Sequence, residues 1–340
     1  MTADRGEGAK IKLEHGSGGA LARELVESVI YPHFKNDRFP ELSDASSFEA
    51  SGEIFVTTDT YVVDPPFFPG GDIGRLAVFG TCNDLAVAGA KPMFLTLGFV
   101  LEEGFAVADL ERVLESIARA AEEAGVRIIS GDTKVVPEGK GGGIFINSSG
   151  IGERVFSHRI SNTNIRAGDA VLVTGPIGSH GIAILAAREA LSVGANLRSD
   201  CANLYPLCRE LFSLGAELRF LRDATRGGVA SILNEMAAGM DFGIEVREDD
   251  VPIEQNVAAV SEILGINPLE VANEGVAVAV VSGPAAERAC SSLKGHAIGR
   301  EAVTIGRVTD SHPGKVILLT RVGGRRLLDF PRGLLLPRIC

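Results

Sequence analysis

Strand-forming and helix-forming segments alternate along nearly the whole chain, and the alternation is interrupted once, by the polar stretch SHRISNTNIRAGD at 157–169. Such a chain must bury strand faces against helices. It is therefore restricted to an α/β or α+β architecture in two units of similar size. In the first half, Ile54–Val63 (IFVTTDTYVV) is rich in β-branched residues and reads as a strand, closed by Pro65-Pro66 and Pro69-Gly70-Gly71. Asp72 stands at a helix N-cap ahead of IGRLAVFGTCNDLAVAGA, which Lys91-Pro92 is expected to terminate. A helix at 20–31, a strand at Met93–Val100, an amphipathic helix at Asp109–Gly125, and strands at Arg127–Val136 and Gly143–Gly152 complete this half. In the second half, strands are expected at 170–174, 243–247, 275–281, 303–308 and 315–320, with helices near 180–190, 203–214, 226–239 and 284–294. The expected units are residues 1–160, residues 161–329 and a tail, 330–340.

Charge and composition narrow the function. The net charge of −11 argues against a nucleic-acid binder, which needs clustered Lys and Arg, but leaves room for a nucleotide bound through a divalent cation. The five cysteines are irregularly spaced without a CxxC, and MTADRGEGAK lacks the apolar core of a signal peptide. No apolar stretch reaches the roughly 18 residues of a membrane span. A reduced, cytoplasmic enzyme without a membrane partner is expected. Glycine is abundant, at 41 residues, and clusters between the periodic segments, where backbone turns tightly or approaches a ligand.

Several groups of residues can carry chemistry. His15-Gly16-Ser17-Gly18-Gly19 precedes a helix and offers backbone N–H groups to phosphate, or serves as a plain lead into that helix. Asp44, Asp59, Asp84 and Asp132 sit beside or inside apolar segments, where a carboxylate is costly unless paired or metal-bound. Taken singly each reads more readily as a cap or turn acid; as a set beside Gly-rich turns they suit Mg²⁺ and phosphate. Lys134 lies two residues after Asp132, on the same face if the strand continues. Asp223 begins DATRGG, read as a helix opening, and Glu274 in Asn-Glu-Gly precedes an apolar strand, as a general base or a turn acid. Cys340 follows Phe330-Pro-Arg-Gly-Leu-Leu-Leu-Pro-Arg-Ile, whose prolines disfavour helix, so its thiol is expected on a swinging arm. Cys82, Cys201, Cys208 and Cys290 are expected to be packing residues.

Together, HGSGG, TTD at 57–59, GGDIGRLAVFGTCNDLAVAGAKP at 70–92, SGDTKVV at 130–136, DATRGG, NEG and PRIC resemble the hydrogenase maturation HypE family over essentially the whole chain. PRIC is the most specific of these motifs; the others are shared with aminoimidazole ribonucleotide synthetase (PurM), selenophosphate synthetase and thiamine-monophosphate kinase. The resemblance implies a PurM-like two-domain fold, α/β then α+β, that dimerises through N-terminal strands into a shared barrel. It implies that the carbamoyltransferase HypF loads a carbamoyl group on Cys340. ATP then drives its dehydration to a thiocyanate, and the HypC–HypD complex receives the cyanide for [NiFe]-hydrogenase. On that reading Asp44, Asp59, Asp84 and Asp132 hold Mg²⁺, and Gly16, Ser17, Gly18 and Gly19 close over the phosphates of ATP. Asn83 and Asp223 are supporting contacts, while Lys134 and Glu274 handle protons. A different synthetase or kinase of the same superfamily would leave Cys340 without a purpose. A selenophosphate synthetase would need a cysteine in the N-terminal Gly-rich segment, whereas the first here is Cys82. A non-catalytic ligand-delivery scaffold would not need the aspartates.

Overall fold

The computed structural model describes residues 9–16, 20–37, 39, 45–189 and 197–331. Near its start, helix α1 (Ala20–Leu25) runs through a π turn, Val26–Ile30, into a 3₁₀ turn, Tyr31–His33. The first sheet takes its strands in the order β1 (Ile54–Tyr61), β6 (Ile144–Arg154), β4 (Ala90–Glu102), β5 (Arg127–Val136). Only β4 and β5 run parallel, joined by the crossover helix α3 (Val107–Ala124). A two-stranded ribbon of β2 (Phe67–Phe68) and β3 (Gly71–Asp72) leads into helix α2 (Ile73–Val87). Asp72 caps α2 as expected, its Oδ1 accepting from the N–H groups of Gly74 (2.8 Å) and Arg75 (3.0 Å). The helix ends at Gly89 (φ +96°), not at Lys91-Pro92. Pro92 lies inside β4 beside a register shift, where the ladder does not require its missing N–H.

Nearly every residue of α2 is buried, because it packs against the sheet on one side and the second half of the chain on the other. Its Ala86 and Val87 join the second half's cluster around Leu172, Leu204, Leu207 and Leu221. No described residue covers the face of β1 that carries Val56, Thr58 and Thr60, which are exposed, Val56 to 70%.

The second sheet has seven strands in the order β13 (Arg325–Leu327), β12 (Val316–Leu319), β9 (Gly243–Arg247), β11 (Val303–Thr309), β7 (Ala170–Val173), β10 (Ala277–Val281), β8 (Leu218–Asp223). All its neighbours are antiparallel except β9 and β12. Helices α4 (Ser179–Arg188), α5 (Tyr205–Phe212), α6 (Gly228–Ala237), α7 (Gln255–Leu264) and α8 (Ala286–Leu293) flank it. Strands β8 and β13 and helix α7 are absent from the sequence reading. Because β8 ends at Asp223, that residue closes a strand rather than opening a helix.

Candidate active site

Strand β1 and helix α2 bring the first pair of acids together. Thr57, Asp59 and Tyr61 alternate onto the α2 side of the sheet. The Tyr61 hydroxyl occupies the space a side chain at position 80 would need, so Gly80 lets α2 approach β1. Tyr61 Oη lies 3.1 Å from Thr81 Oγ1 and 3.4 Å from Asp59 Oδ2. Asp84, one turn beyond Gly80, accepts a 2.8 Å hydrogen bond from the Thr57 hydroxyl and sits against Asp59.

The second half supplies the opposing wall. Asp223 ends β8, and Glu274 lies three residues before β10. Asn273 ties their loops together: its Nδ2 donates to the carbonyls of Ala224 (2.8 Å) and Val271 (3.1 Å), and its Oδ1 accepts from Gly178 N (2.6 Å). Gly228 (φ +59°) packs so closely that an added Cβ would lie 2.5 Å from the Val271 carbonyl oxygen. A cavity of about 210 Å³ results, lined by Asp59, Asp84, Asp223, Glu274, Thr225 and Arg226 among others.

Burial and mutual repulsion raise the proton affinity of these acids. Burial first, then the charges of Asp223 and Asp200, hold Glu274 well above the usual carboxylate range. Burial, then Asp84, carries Asp223 to about 7. Burial also raises Asp59 and Asp84, and Arg226 partly offsets both. The Glu274 carboxyl, 3% exposed as a residue, makes no hydrogen bond to any described residue, so it faces the cavity free to exchange a proton.

A second cavity, of about 540 Å³, lies between the 22–39 segment and strands β4 and β5, within the size range of ligand pockets. Val26, Ile30, Phe34 and Phe39 give it an apolar wall, and His15, Gly16, Ser130, Asp132 and Lys134 a polar end. Gly16 is seated on β5 so tightly that a Cβ there would lie 2.5 Å from Val135 N. Lys134 Nζ donates to both oxygens of Asp132, at 2.9 and 2.6 Å, and this bond holds Asp132 below its ordinary range.

The expected residues thus divide. Asp59, Asp84, Asp223 and Glu274 meet in one cavity; Gly16, Asp132 and Lys134 line the other. Within the chain Asp132 does not join Asp59 and Asp84, nor Lys134 Glu274, because β5, which carries Asp132 and Lys134, lies at the opposite edge of the first sheet from β1. Asn83 needs a further correction as a nucleotide contact. Its Nδ2 donates to the carbonyls of Ala202 (3.0 Å) and Glu274 (3.2 Å), and its Oδ1 accepts from Leu204 N (2.8 Å), so its amide clamps α2 to the second half. Ser17, Gly18, Gly19, Asp44 and Cys340 lie outside the described residues. Cys82, Cys201 and Cys208 are buried, and burial pushes the Cys82 thiol up to about 12, which fits packing roles. Cys290 is only partly buried. Sequence reasoning missed Thr57, Tyr61 and Arg226. The first two were legible as alternate positions around Asp59, the third as the lone cation of DATRGG.

Among the described residues no three carboxylate, imidazole or thiol groups converge as a metal site. Mg²⁺ at a nucleotide needs less, since one or two carboxylates suffice when phosphate oxygens and water complete the shell. Asp59 and Asp84 lie against each other and line the cavity with two hard carboxylate donors, so these residues fit the ion.

Residues 43–154 match the family of AIR synthase related proteins, N-terminal domain, and residues 166–319 its C-terminal domain. The carbamoyl dehydratase HypE of Cupriavidus necator is 44% identical over 333 residues, 97% of this chain and 95% of that protein. The crystal structure of the hydrogenase maturation protein HypE in complex with ATP is 41% identical with a TM-score of 0.92, covering 97% of this chain and 99% of that one. The crystal structure of a HypE–HypF complex is 44% identical with a TM-score of 0.79, covering 92% and 100%. With this fold, this acidic cavity and these full-length relatives, the chain belongs to the HypE family of carbamoyl dehydratases, within the AIR synthase related proteins.

Proposed function

We propose that the chain is a cytoplasmic, ATP-dependent carbamoyl dehydratase that converts a thiocarboxamide on Cys340 into a thiocyanate, the cyanide source for a [NiFe]-hydrogenase. Full-length similarity to carbamoyl dehydratases and to a HypE bound to ATP supports the activity and the nucleotide. The observation that carries the site assignment is Glu274, a buried carboxyl that faces a cavity, makes no hydrogen bond there and has three other carboxyls beside it. Turning an amide into a nitrile removes its oxygen and both N–H protons. ATP supplies the leaving group by phosphorylating the oxygen, and a positioned base must receive the protons.

Glu274 is that base. Burial and the neighbouring carboxyls raise its proton affinity; Asp59 and Asp84 would hold a cation, whose charge would offset that repulsion and leave the Glu274 carboxylate able to accept a proton. Asp223, fixed by β8 on the same wall, relays or shares that proton. Gly16, Asp132 and Lys134, with the Ser17-Gly18-Gly19 segment, serve the nucleotide from the larger cavity, whose apolar wall suits a base. Lys134, which lines that larger cavity, stays a candidate for proton handling alongside Glu274.

The assembly follows the same reading. HypF loads Cys340, as the related HypE–HypF complex supports. HypC–HypD takes the cyanide. Two copies pair through the uncovered face of the first sheet, where Val56 would otherwise leave apolar surface in water. Residues 1–160 form the nucleotide-binding and pairing domain, 161–329 the domain bearing Asp223 and Glu274, and 330–340 the arm.

The test is intact mass after incubation with carbamoyl phosphate, HypF and Mg–ATP. Carbamoyl addition followed by loss of one water, both absent in Cys340→Ala, is expected; ATP turnover with no change in chain mass overturns the proposal.

A further inference from the structure

Arg226 stands beside Asp59, Asp84, Asp223 and Glu274. It lines the acidic cavity, close enough for its charge to act on Asp59 and Asp84, yet it forms no ion pair or hydrogen bond with any described residue. Its neighbour Arg222, which lines the same cavity, is occupied by Glu235. The Arg226 side chain is exposed, but its backbone is fixed. Gly227 (φ +73°) and Gly228 (φ +59°) follow it in left-handed conformation, and Thr225 O accepts from Gly228 N at 2.9 Å. Asn273 ties Ala224 to the Glu274 loop. An unpaired guanidinium is thus held on the same rigid wall as Glu274.

Its five N–H donors match the oxygens of a phosphoryl group, which a guanidinium grips with two parallel bonds. The cavity holds about 210 Å³, below the range of whole-ligand pockets and better suited to a phosphoryl group and its acceptor than to a nucleoside. Glu274 lines it too, so the phosphate nearest Arg226 is the one beside the proton acceptor. We infer that Arg226 grips the terminal phosphoryl group of ATP, the one transferred, and so distinguishes ATP from ADP at this site.

This inference rests on the ATP-dependent reading above, and calorimetric titration of the full chain with Mg–ATP and with Mg–ADP separates the two. Arg226→Gln should weaken ATP binding on the order of 10- to 100-fold while leaving ADP within about twofold, the loss expected for a charge-assisted hydrogen bond to one phosphate. Arg226→Lys should recover part of it. Melting temperature should change little, since the side chain makes no hydrogen bond or ion pair with a described residue and acts on Asp59 and Asp84 only through its charge. Unchanged ATP affinity in Arg226→Gln, or equal loss of ATP and ADP, overturns the inference. A wild-type chain that binds neither nucleotide overturns the proposed function itself.

Discussion

Replacing Asn83 by Ala tests whether this residue holds the two halves together or holds a nucleotide. Asn83 is 1% exposed, and its amide serves Ala202 O, Glu274 O and Leu204 N. After truncation, Glu274 O keeps a bond from Ala202 N at 3.3 Å, whereas Ala202 O and Leu204 N lose the partner shown for them. Each buried backbone group left unsatisfied costs about 1–3 kcal/mol, so the variant should be destabilised by about 2–6 kcal/mol. Asn83→Asp should do no better, since its carboxylate would face two carbonyl oxygens. Urea unfolding followed by far-UV circular dichroism reads the loss as a lower midpoint. If Asn83→Ala unfolds within about 0.5 kcal/mol of wild type, the size of an ordinary surface substitution, yet loses ATP binding, the clamp assignment is wrong and Asn83 is a nucleotide ligand.

Other consequences follow from the same geometry. Asp223 rises from its ordinary 3.8 to about 7, chiefly through burial. A carboxyl that holds its proton more tightly when folded stabilises the chain fully in acid and loses that contribution as pH rises from near 4 to about 7, a change of about 4 kcal/mol at most. Melting curves of wild type and Asp223→Asn should therefore diverge across that window in favour of the variant; parallel curves would show the carboxyl is ordinary. Gly275→Ala would drive its methyl into the Asp200 carbonyl oxygen and should cost more than about 3 kcal/mol, read as a collapse of soluble, folded yield on expression. Val56→Asp on the uncovered sheet face should convert a dimer into a monomer in light scattering; a variant that stays dimeric would place the pairing surface elsewhere.

Local chemistry made much of the fold legible. Asp72 announced its helix because an N-cap acid before an apolar run has few other uses, and Arg127–Val136 showed its strand over the full span. What was missed is tertiary. Strand β8, LRFLRD, alternates charged and apolar residues only briefly, and Asp223 at its end looked like a cap because Gly227-Gly228 and a helix follow. The acids were picked out one by one from their apolar surroundings, but their grouping depends on α2 lying between the two halves. Asp59 and Asp84 meet across β1 and α2, and Glu274 arrives from the second half. Asp132 carried the same local signal and joined the other cavity, its charge taken by Lys134 two residues on. Asn83 was implied as a contact by the family resemblance alone; its partners at 202, 204 and 274 are too distant in sequence for any periodicity to show.

Time-resolved intact mass of Glu274→Gln tests the central claim most directly. With HypF, carbamoyl phosphate and Mg–ATP, this variant should take up the carbamoyl group on Cys340 at the wild-type rate and then stall, losing water about 10²- to 10⁴-fold more slowly. Gln keeps the size of the side chain and removes its proton-accepting oxygen. A Glu274→Gln chain that loses water as fast as wild type would show that the acidic cavity is not where the carbamoyl group is dehydrated.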